Sequence, residues 1–550
     1  MKKKINFLIV ILFFSLGCND EFLDTAPLDG YSSSTIFESD ENASYAMNGL
    51  YNALAQNAFS TNYFNFITNL GPEGYEQGRA AWGLTMSAGL ATAREGGVLN
   101  NYRGFYRPIV YANDIITGVE GNESISEDLR TRLVGEAKFA RGLCYFYLWN
   151  LFGGVVILDK PTPVSETYLP RNSADEVRDL IIEDFTDAID RLPVSYSSPS
   201  DVGRITKGAA IAMLGKTYLY DKQWGLAAAE FEKLLSAPFA YDLLDDYGDN
   251  WNVNTENGVE SIFELQYVEI AGLGSAFDRW YGNRSNNVGG GDRANMTQQS
   301  LFAFTHNDGS EINFSTIPMK ADYPDDIAHG VDLISWYQTT FSDVDIRLHK
   351  SAILPGSTYV GAGGITYQVY WPQTEYVNAD PPALNLTFRQ FAKILIRKFL
   401  TVGDEHTLFR EDGPMNFPLI RFSDVLLMYA EALNEDGGPV ADVYEAVNRV
   451  KDRAGIVDLP NGLSQDQMRR EIWLERYREF MFETHLYFDV RRWRVAHTSD
   501  PIFGLNNDVE DFRFETVHFT KSFDEERDYL WPIPGNEMDL NPQLKQNPGW

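Results

Sequence analysis

The first apolar run of this chain, from Ile5 to Leu16, follows three lysines and is broken only by Asn6 and Ser15. A bilayer span needs about 20 apolar residues, so the run is too short to be one. A basic start, a brief apolar stretch and a small residue before a cut site predict an export signal that is removed. Gly17-Cys18 at its end predicts cleavage at a lipoprotein site, leaving Cys18 as a lipidated N-terminus. The alternative is an ordinary signal that happens to end in cysteine, since Ser15-Leu16-Gly17-Cys18 departs from the usual Leu-small-small-Cys order. Residues 1–17 are therefore expected to be the signal peptide, and residues 18–39, in which NDEFLD follows Cys18, an acidic tether.

From residue 40 to about 249 the apolar spacing is helical. DENASYAMNGLYNAL predicts a helix with Asp40 as its cap. Residues 60–100, rich in Gly, Asn and aromatics, predict irregular structure. Helix returns in FYRPIVYANDIITGV and in SEDLRTRLVGEAKFARGLCYFYLWNLF, the second capped by Ser126. Gly and Pro end it in FGGVVILDKPTPV. SADEVRDLIIEDFTDAIDRLP restarts helix with Ser173 three residues before Glu176, the spacing of a capping box. In KGAAIAMLGKTYLYDKQWGLAAAEFEKLLS, Leu214-Gly215, Tyr218, Ala227 and Phe231 fall at tetratricopeptide offsets. Small residues at 215 and 227 let two antiparallel helices close up, and Tyr218 and Phe231 fill the groove between them. Looser pairs are EAKFARGLCYFYLW with SADEVRDLIIEDFTDAI, and VLLMYAEALNE with ADVYEAVNRVKDRAG.

Residues 250–550 form the second region. Up to about residue 415 helical periodicity gives way to Gly, Asn, Asp and aromatic stretches, and long irregular segments of this kind usually carry function. The apolar stripe Trp473, Tyr477, Phe480 and Met481 predicts one continuous helix through QDQMRREIWLERYREFMFETHLYFDVRRW. Its charges, Glu475, Arg476, Glu479, Glu483, Asp489, Arg491 and Arg492, are expected to be structural ion pairs between near neighbours in sequence, and not a catalytic set.

Charge and composition narrow the function. Lys and Arg number 46 against 78 acids, a net charge of −32. That argues against a nucleic-acid partner, because phosphate binding needs a basic face. It favours a neutral ligand over a polyanion, unless a local basic pocket overrules the average. With Cys18 lipidated, Cys144 is left without a disulfide partner; within FARGLCYFYLW it is expected to be a buried core thiol. No GxSxG, HExxH, GxxxxGK[ST] or CxxC occurs, and the seven His show no metal-like spacing. Asn250-x-Asn252-x-Asn254 lacks the Gly and the Glu of a calcium loop, having Thr255 and Ser261 there, and is expected to be a polar turn. No cofactor and no metal are expected.

Four stretches together resemble the SusD-like (RagB/SusD) family of nutrient-binding outer-membrane lipoproteins. They are GEAKFARGLCYFYLWNLFGGVVIL, RFSDVLLMYAEALNE with VNRVKDRAGI, REIWLERYREFMFETHLYFDVRRW, and the chain end LWPIPGNEMDLNPQLKQNPGW. The last is the most specific, because its prolines and asparagines fix an extended, turn-rich tail that a scaffold must bind. The resemblance implies a mainly α fold: a superhelix of tetratricopeptide-type hairpins over residues 40–249, with an irregular, loop-rich region over 250–550 packed on it. It implies a lipid-anchored protein of the outer-membrane surface of a Gram-negative bacterium. Its partner would be a SusC-like TonB-dependent transporter, to which it delivers captured oligo- or polysaccharide without catalysis. The alternatives are a binder of peptides or another nutrient in the same system and, in another class, a surface glycoside hydrolase using two carboxylates.

A sugar presents apolar C–H faces between hydroxyls, so its binder needs flat aromatic platforms flanked by amide and charged groups. Most aromatics here lie on helical stripes and belong to the core. The exceptions sit in polar, Gly-rich stretches. Trp82 is expected in a loop, QGRAAWGL, in the region where family members often place ligand contacts. Trp280 and Tyr281 stand in FDRWYGNRSNN, with Asp278, Arg279, Asn283 and Arg284 as polar partners. Tyr323, Trp336 and Trp371 complete the candidate set.

Overall fold

The computed structural model describes residues 35–78, 82–283, 290–291, 293–361, 364–372, 380–383, 387–388, 391–401 and 411–550. Cys18 and Arg284 lie outside the described residues.

The first region is a succession of helices in chain order: α1 (Asp40–Ala53), α2 (Trp82–Ser87), α3 (Gly96–Val119), α4 (Glu127–Phe152), α5 (Ala174–Arg191), α6 (Lys207–Tyr220) and α7 (Trp224–Glu232). The tetratricopeptide offsets act as read. A Cβ on Gly215 would lie 2.7 Å from the Phe231 ring, so only glycine lets α6 and α7 approach this closely. Gly142 does the same for α4 against Phe185 of α5, at 3.1 Å. The Ser173–Glu176 capping box is present in full. At α1 the cap is Ser39, whose side chain accepts from Asn42 N. Asp40 acts differently. Its carboxylate accepts the backbone N–H and the hydroxyl of Ser126, tying the start of α1 to the start of α4.

The second region begins with short elements: α8 (Phe277–Trp280), α9 (Asp326–Thr340) and α10 (Ile346–Ser351), set among small antiparallel sheets. Their main strands are β1 (Gly74–Glu76), β2 (Ser261–Leu265), β3 (Ala294–Met296), β4 (Ala352–Ile353), β5 (Ile394–Ile396) and β6 (Phe417–Arg421). One sheet joins β1, β3, β5 and β4 in that order, and another pairs β2 with β6. Helix then returns in α11 (Phe422–Gly437), α12 (Ala441–Arg453), α13 (Gln465–Phe480), α14 (His485–Arg492) and α15 (Gly535–Leu540). One hydrophobic core runs from Ala43 to Leu544 and includes Cys144, whose thiol burial pushes up. The asparagines of the 250–254 turn are spent locally: Asn250 Nδ2 donates to Tyr247 O and Glu260, and Asn252 Oδ1 accepts from Asn254 N.

Two readings change. The continuous helix expected over 465–493 is broken between α13 and α14, where Phe482 and Thr484 take φ of 68° and 67°. Except for Arg491, which donates to Asn150 O and Tyr529 O, the charges on it do form structural ion pairs, but most of their partners are distant in sequence. Arg347 binds Asp345, Glu475 and Glu479 at 2.7, 2.6 and 3.1 Å. Arg421 binds Glu260, Glu479 and Glu483 at 2.5, 2.9 and 2.9 Å. Arg476 binds Asp424 and Asp489 at 2.8 and 2.9 Å. All of these side chains are buried. Pairs of near neighbours do occur, as between Arg492 and Asp489, but they are the minority.

The aromatic and guanidinium face

Trp280 ends the single turn of α8 and is half-buried. Its indole is held from several sides. Nε1 donates to Asn62 Oδ1 at 2.9 Å, and the Phe66 ring meets it edge-on at 5.4 Å. The Arg279 guanidinium lies over the indole at 4.3 Å and that of Arg293 at 5.3 Å. The backbone explains why two arginines 14 positions apart converge. Arg293 N donates to Trp280 O, Gly291 N donates to Arg279 O, and Arg293 O accepts from Gln77 N next to the edge strand β1. Gly291 is needed where it stands, because a Cβ there would meet Arg279 O at 2.8 Å.

Among the described residues each arginine has one acid. Glu411 binds Arg279 Nη1 at 2.7 Å, and Glu76 binds Arg293 Nη2 at 3.2 Å. Glu76 is almost fully buried and also accepts from Gly83 N at 2.9 Å. Burial pushes its carboxyl up to about 7, against the pull of Arg293 and of the Gly83 N–H. Through Glu76 the start of α2, and with it Trp82, is joined to the Trp280 cluster.

Trp82 is the first residue of a helix and not part of a loop. Its indole lies on Gly97 of α3, in the space that a Cβ would take, and meets the buried Trp531 edge-on at 6.1 Å. It is half-buried, with part of its ring spent on packing.

Other candidates are interior side chains, and the structure corrects their placement. Tyr281 is 1% exposed, and its hydroxyl donates to Asn65 O. Asp278 is buried and accepts from Thr401 N and Oγ1. Asn283 is buried as well. Trp371 is buried beneath Arg513, edge-on to Phe512. For Asp278 and Tyr281 the reason is the helical turn itself, which sends 277, 278 and 281 inward and leaves 279 and 280 at the surface. Trp336 and Tyr323 are half-buried but lie in another cluster, around α9, where Trp336 Nε1 donates to Thr316 and Tyr323 donates to Asp332. Asn62, Glu76, Arg293 and Glu411 do not stand out in the sequence as candidates. Arg293 carries a signal, since it stands in the Gly-rich stretch VGGGDRAN. Glu76 carries none.

Clefts lie elsewhere, one of about 410 Å³ between α3 and α15 and one of about 310 Å³ beside Tyr196, Arg204 and Tyr241. Among the described residues no group of three or more His, Cys, Asp or Glu could hold a metal ion.

The architecture is thus a tetratricopeptide-type helical scaffold that carries an aromatic and guanidinium face on the short elements of its second region. The chain belongs to the SusD family, which it matches over residues 259–550. Residues 21–219 match a further family described as starch-binding associating with outer membrane. Among similar proteins, SusD-like protein P25 of Formosa agariphila is 26% identical, covering 99% of this chain and 98% of its own. A SusD-like protein of Bacteroides ovatus is 24% identical, with 94% and 87% covered. Solved structures share the fold. A SusD-like carbohydrate binding protein from Bacteroides fragilis has a TM-score of 0.76 at 22% identity, with 93% of this chain and 100% of that one covered. Surface glycan-binding protein A from Bacteroides thetaiotaomicron, in complex with laminarihexaose, has 0.68 at 18%, with 92% and 99% covered.

Proposed function

We propose that this chain is a glycan-binding lipoprotein of the outer-membrane surface, anchored through Cys18. In this reading it captures oligo- or polysaccharide and passes it to a SusC-like TonB-dependent transporter without cleaving it. The observation that carries the reading is family membership over 259–550 together with the match of 21–219 to an outer-membrane, starch-binding family. Similar folds that bind carbohydrate, one of them seen with laminarihexaose, support it. The Trp280 face suits a sugar, since its indole is oriented before any ligand arrives and has amide and guanidinium groups beside it. Preorganisation of this kind removes part of the ordering cost of binding. A glycosidase would need an acid that can reach the scissile oxygen and give it a proton. Glu76 is the raised carboxyl of this face, but it is buried and committed to Arg293 and Gly83 N, which supports binding over hydrolysis.

Covering about 100 Å² of apolar surface at about 25 cal/mol per Å² is worth roughly 2.5 kcal/mol before ordering costs. The test is calorimetry on the full-length lipoprotein in mild detergent against a glycan panel, a preparation that should also bring a TonB-dependent transporter with it. Trp280→Ala should weaken the cognate glycan ten-fold or more while lowering the melting temperature only modestly, as Asn62 and Phe66 each lose a contact. Trp82→Ala should lower the melting temperature as well, because Gly97 and Trp531 lose their cover. No binding to any glycan, or sustained release of reducing ends by the pure protein, would sink the proposal.

A further inference from the structure

Resting on the glycan-binding reading above, we infer that the Trp280 face takes a polysaccharide bearing oxyanions, carboxylate or sulfate ester, and that Arg279 and Arg293 are the residues that select for them.

The net charge of −32 argued for a neutral ligand, but at physiological ionic strength charges beyond about 8 Å are largely screened. What a bound sugar feels is therefore set by the groups beside it. Among the described residues those groups are two guanidiniums, each about one-third exposed, and the two acids paired with them, Glu411 and the buried Glu76. A neutral sugar needs hydrogen bonds but no cation, and amides such as Asn62 would suffice. Two arginines brought together by backbone bonds from separate segments are a costlier arrangement, and it suits a ligand with negative charge.

The geometry favours oxyanions in a second way. A guanidinium stacked on an indole keeps its planar fork of N–H donors at the edge of the ring, where carboxylate and sulfate oxygens can be met in pairs. Stacking leaves this fork preorganised, which lysine could not be. The acids at the face do not use it up. Glu411 meets Arg279 at Nη1, and Glu76 meets Arg293 at Nη2. Glu411 is half exposed and can swing aside. Glu76 stays, and burial pushing its carboxyl up to about 7 leaves Arg293 only partly countered near neutral pH. The apolar body of the same ligand can meet the part of the half-buried indole that the guanidiniums and Phe66 leave uncovered. Stacked cations, their donor forks and the rim of an indole are thus offered together at one half-buried place.

The experiment uses the full-length lipoprotein and polysaccharides in matched pairs: polygalacturonate with its methyl ester, and sulfated polymers with their desulfated forms. The two kinds of pair separate the carboxylate from the sulfate source. The charged member of at least one kind should bind ten-fold or more tighter than its uncharged partner, and the difference should shrink as salt is raised. Arg279→Gln should remove most of that difference while leaving the melting curve in place. Arg293→Lys, which keeps the charge beside Glu76, should remove part of it and serves as the check on folding. Equal or tighter binding of the uncharged members overturns the inference and leaves the glycan reading standing. So does a charge preference that neither arginine variant alters. Failure to bind any member of any pair overturns both.

Discussion

Glu76 shows how much one side chain can carry. It fixes Arg293 at the face, closes the first turn of α2 through Gly83 N, and does so from a buried position. Its carboxyl, held near 7 by burial, binds a proton that the unfolded chain releases at about pH 4.3. Between those values the folded state holds more protons than the unfolded state, so stability falls as pH rises through the window. Glu76→Gln keeps the shape and removes the titration. The variant should gain on the parent between pH 5 and pH 8, by at most about 3 kcal/mol, read as a difference of melting temperatures that changes with pH. A constant offset would place the effect elsewhere. Glu73 and Glu256, pushed up to about 7 by burial, slope the same way. Glu479 and Asp489 slope oppositely: burial opposes their charge, but the arginines beside them hold both carboxyls below the usual range. Their contribution is present above about pH 4 and lost below it. At this scale the sequence was legible only halfway. FDRWY advertised its aromatic and charged residues, but a single helical turn in a Gly-rich stretch has no periodicity to show which of them face outward.

Helices that carry a local signal were readable, as the Ser173 capping box and the Gly215–Phe231 contact show. The break between α13 and α14 has no such signal, for neither glycine nor proline stands at residues 481–484. It is made by side chains from elsewhere that capture the last carbonyls of α13 and the one beyond. Tyr247 donates its hydroxyl to Glu479 O at 2.7 Å, Arg421 Nη2 donates to the same oxygen at 3.3 Å, and Lys398 Nζ donates to Met481 O at 2.8 Å. The turn that follows puts Thr484, a β-branched residue, into the left-handed region at a cost of about 1–3 kcal/mol. In return Glu483 reaches Lys398 and Arg421. Tyr247→Phe removes one of the captors without changing the ring. It should lower stability by about 1–2 kcal/mol, seen as a lower urea midpoint with an unchanged slope. An unchanged midpoint would mean that Arg421 and Lys398 suffice to end the helix.

Across the whole molecule the chain end behaves as a clamp. Trp531 is fully buried, with its N–H on Leu151 O and its indole donating to Tyr487. Asn547 Nδ2 donates to both Phe152 O and Trp531 O, and its Oδ1 accepts from Arg171. Asn541 reaches Leu169 O. Asn547→Ala takes a donor from Trp531 O and leaves Phe152 O to Arg171 alone, and should cost about 1–2 kcal/mol in urea denaturation. A loss under about 0.5 kcal/mol would show that the prolines alone place the tail. That this tail must lie on a scaffold was legible from its proline and asparagine order. What receives it was not, because the receiving groups are backbone carbonyls, and these have no residue-type signature in a sequence.

The same clamp sets an order in time. The end of α4 takes its partners from Trp531 and Asn547, the latter 395 positions further along. A ribosome adds about 5–20 residues per second, so on the order of 20–80 s separate the emergence of Phe152 from that of Asn547. During that interval the early helices have their full sequence, and Arg171 can already reach Phe152 O, but the bonds that Trp531 and Asn547 bring to Leu151 O and Phe152 O are missing. A nascent chain halted anywhere before Asn547 is complete in its first helices as a text and still open there as a fold.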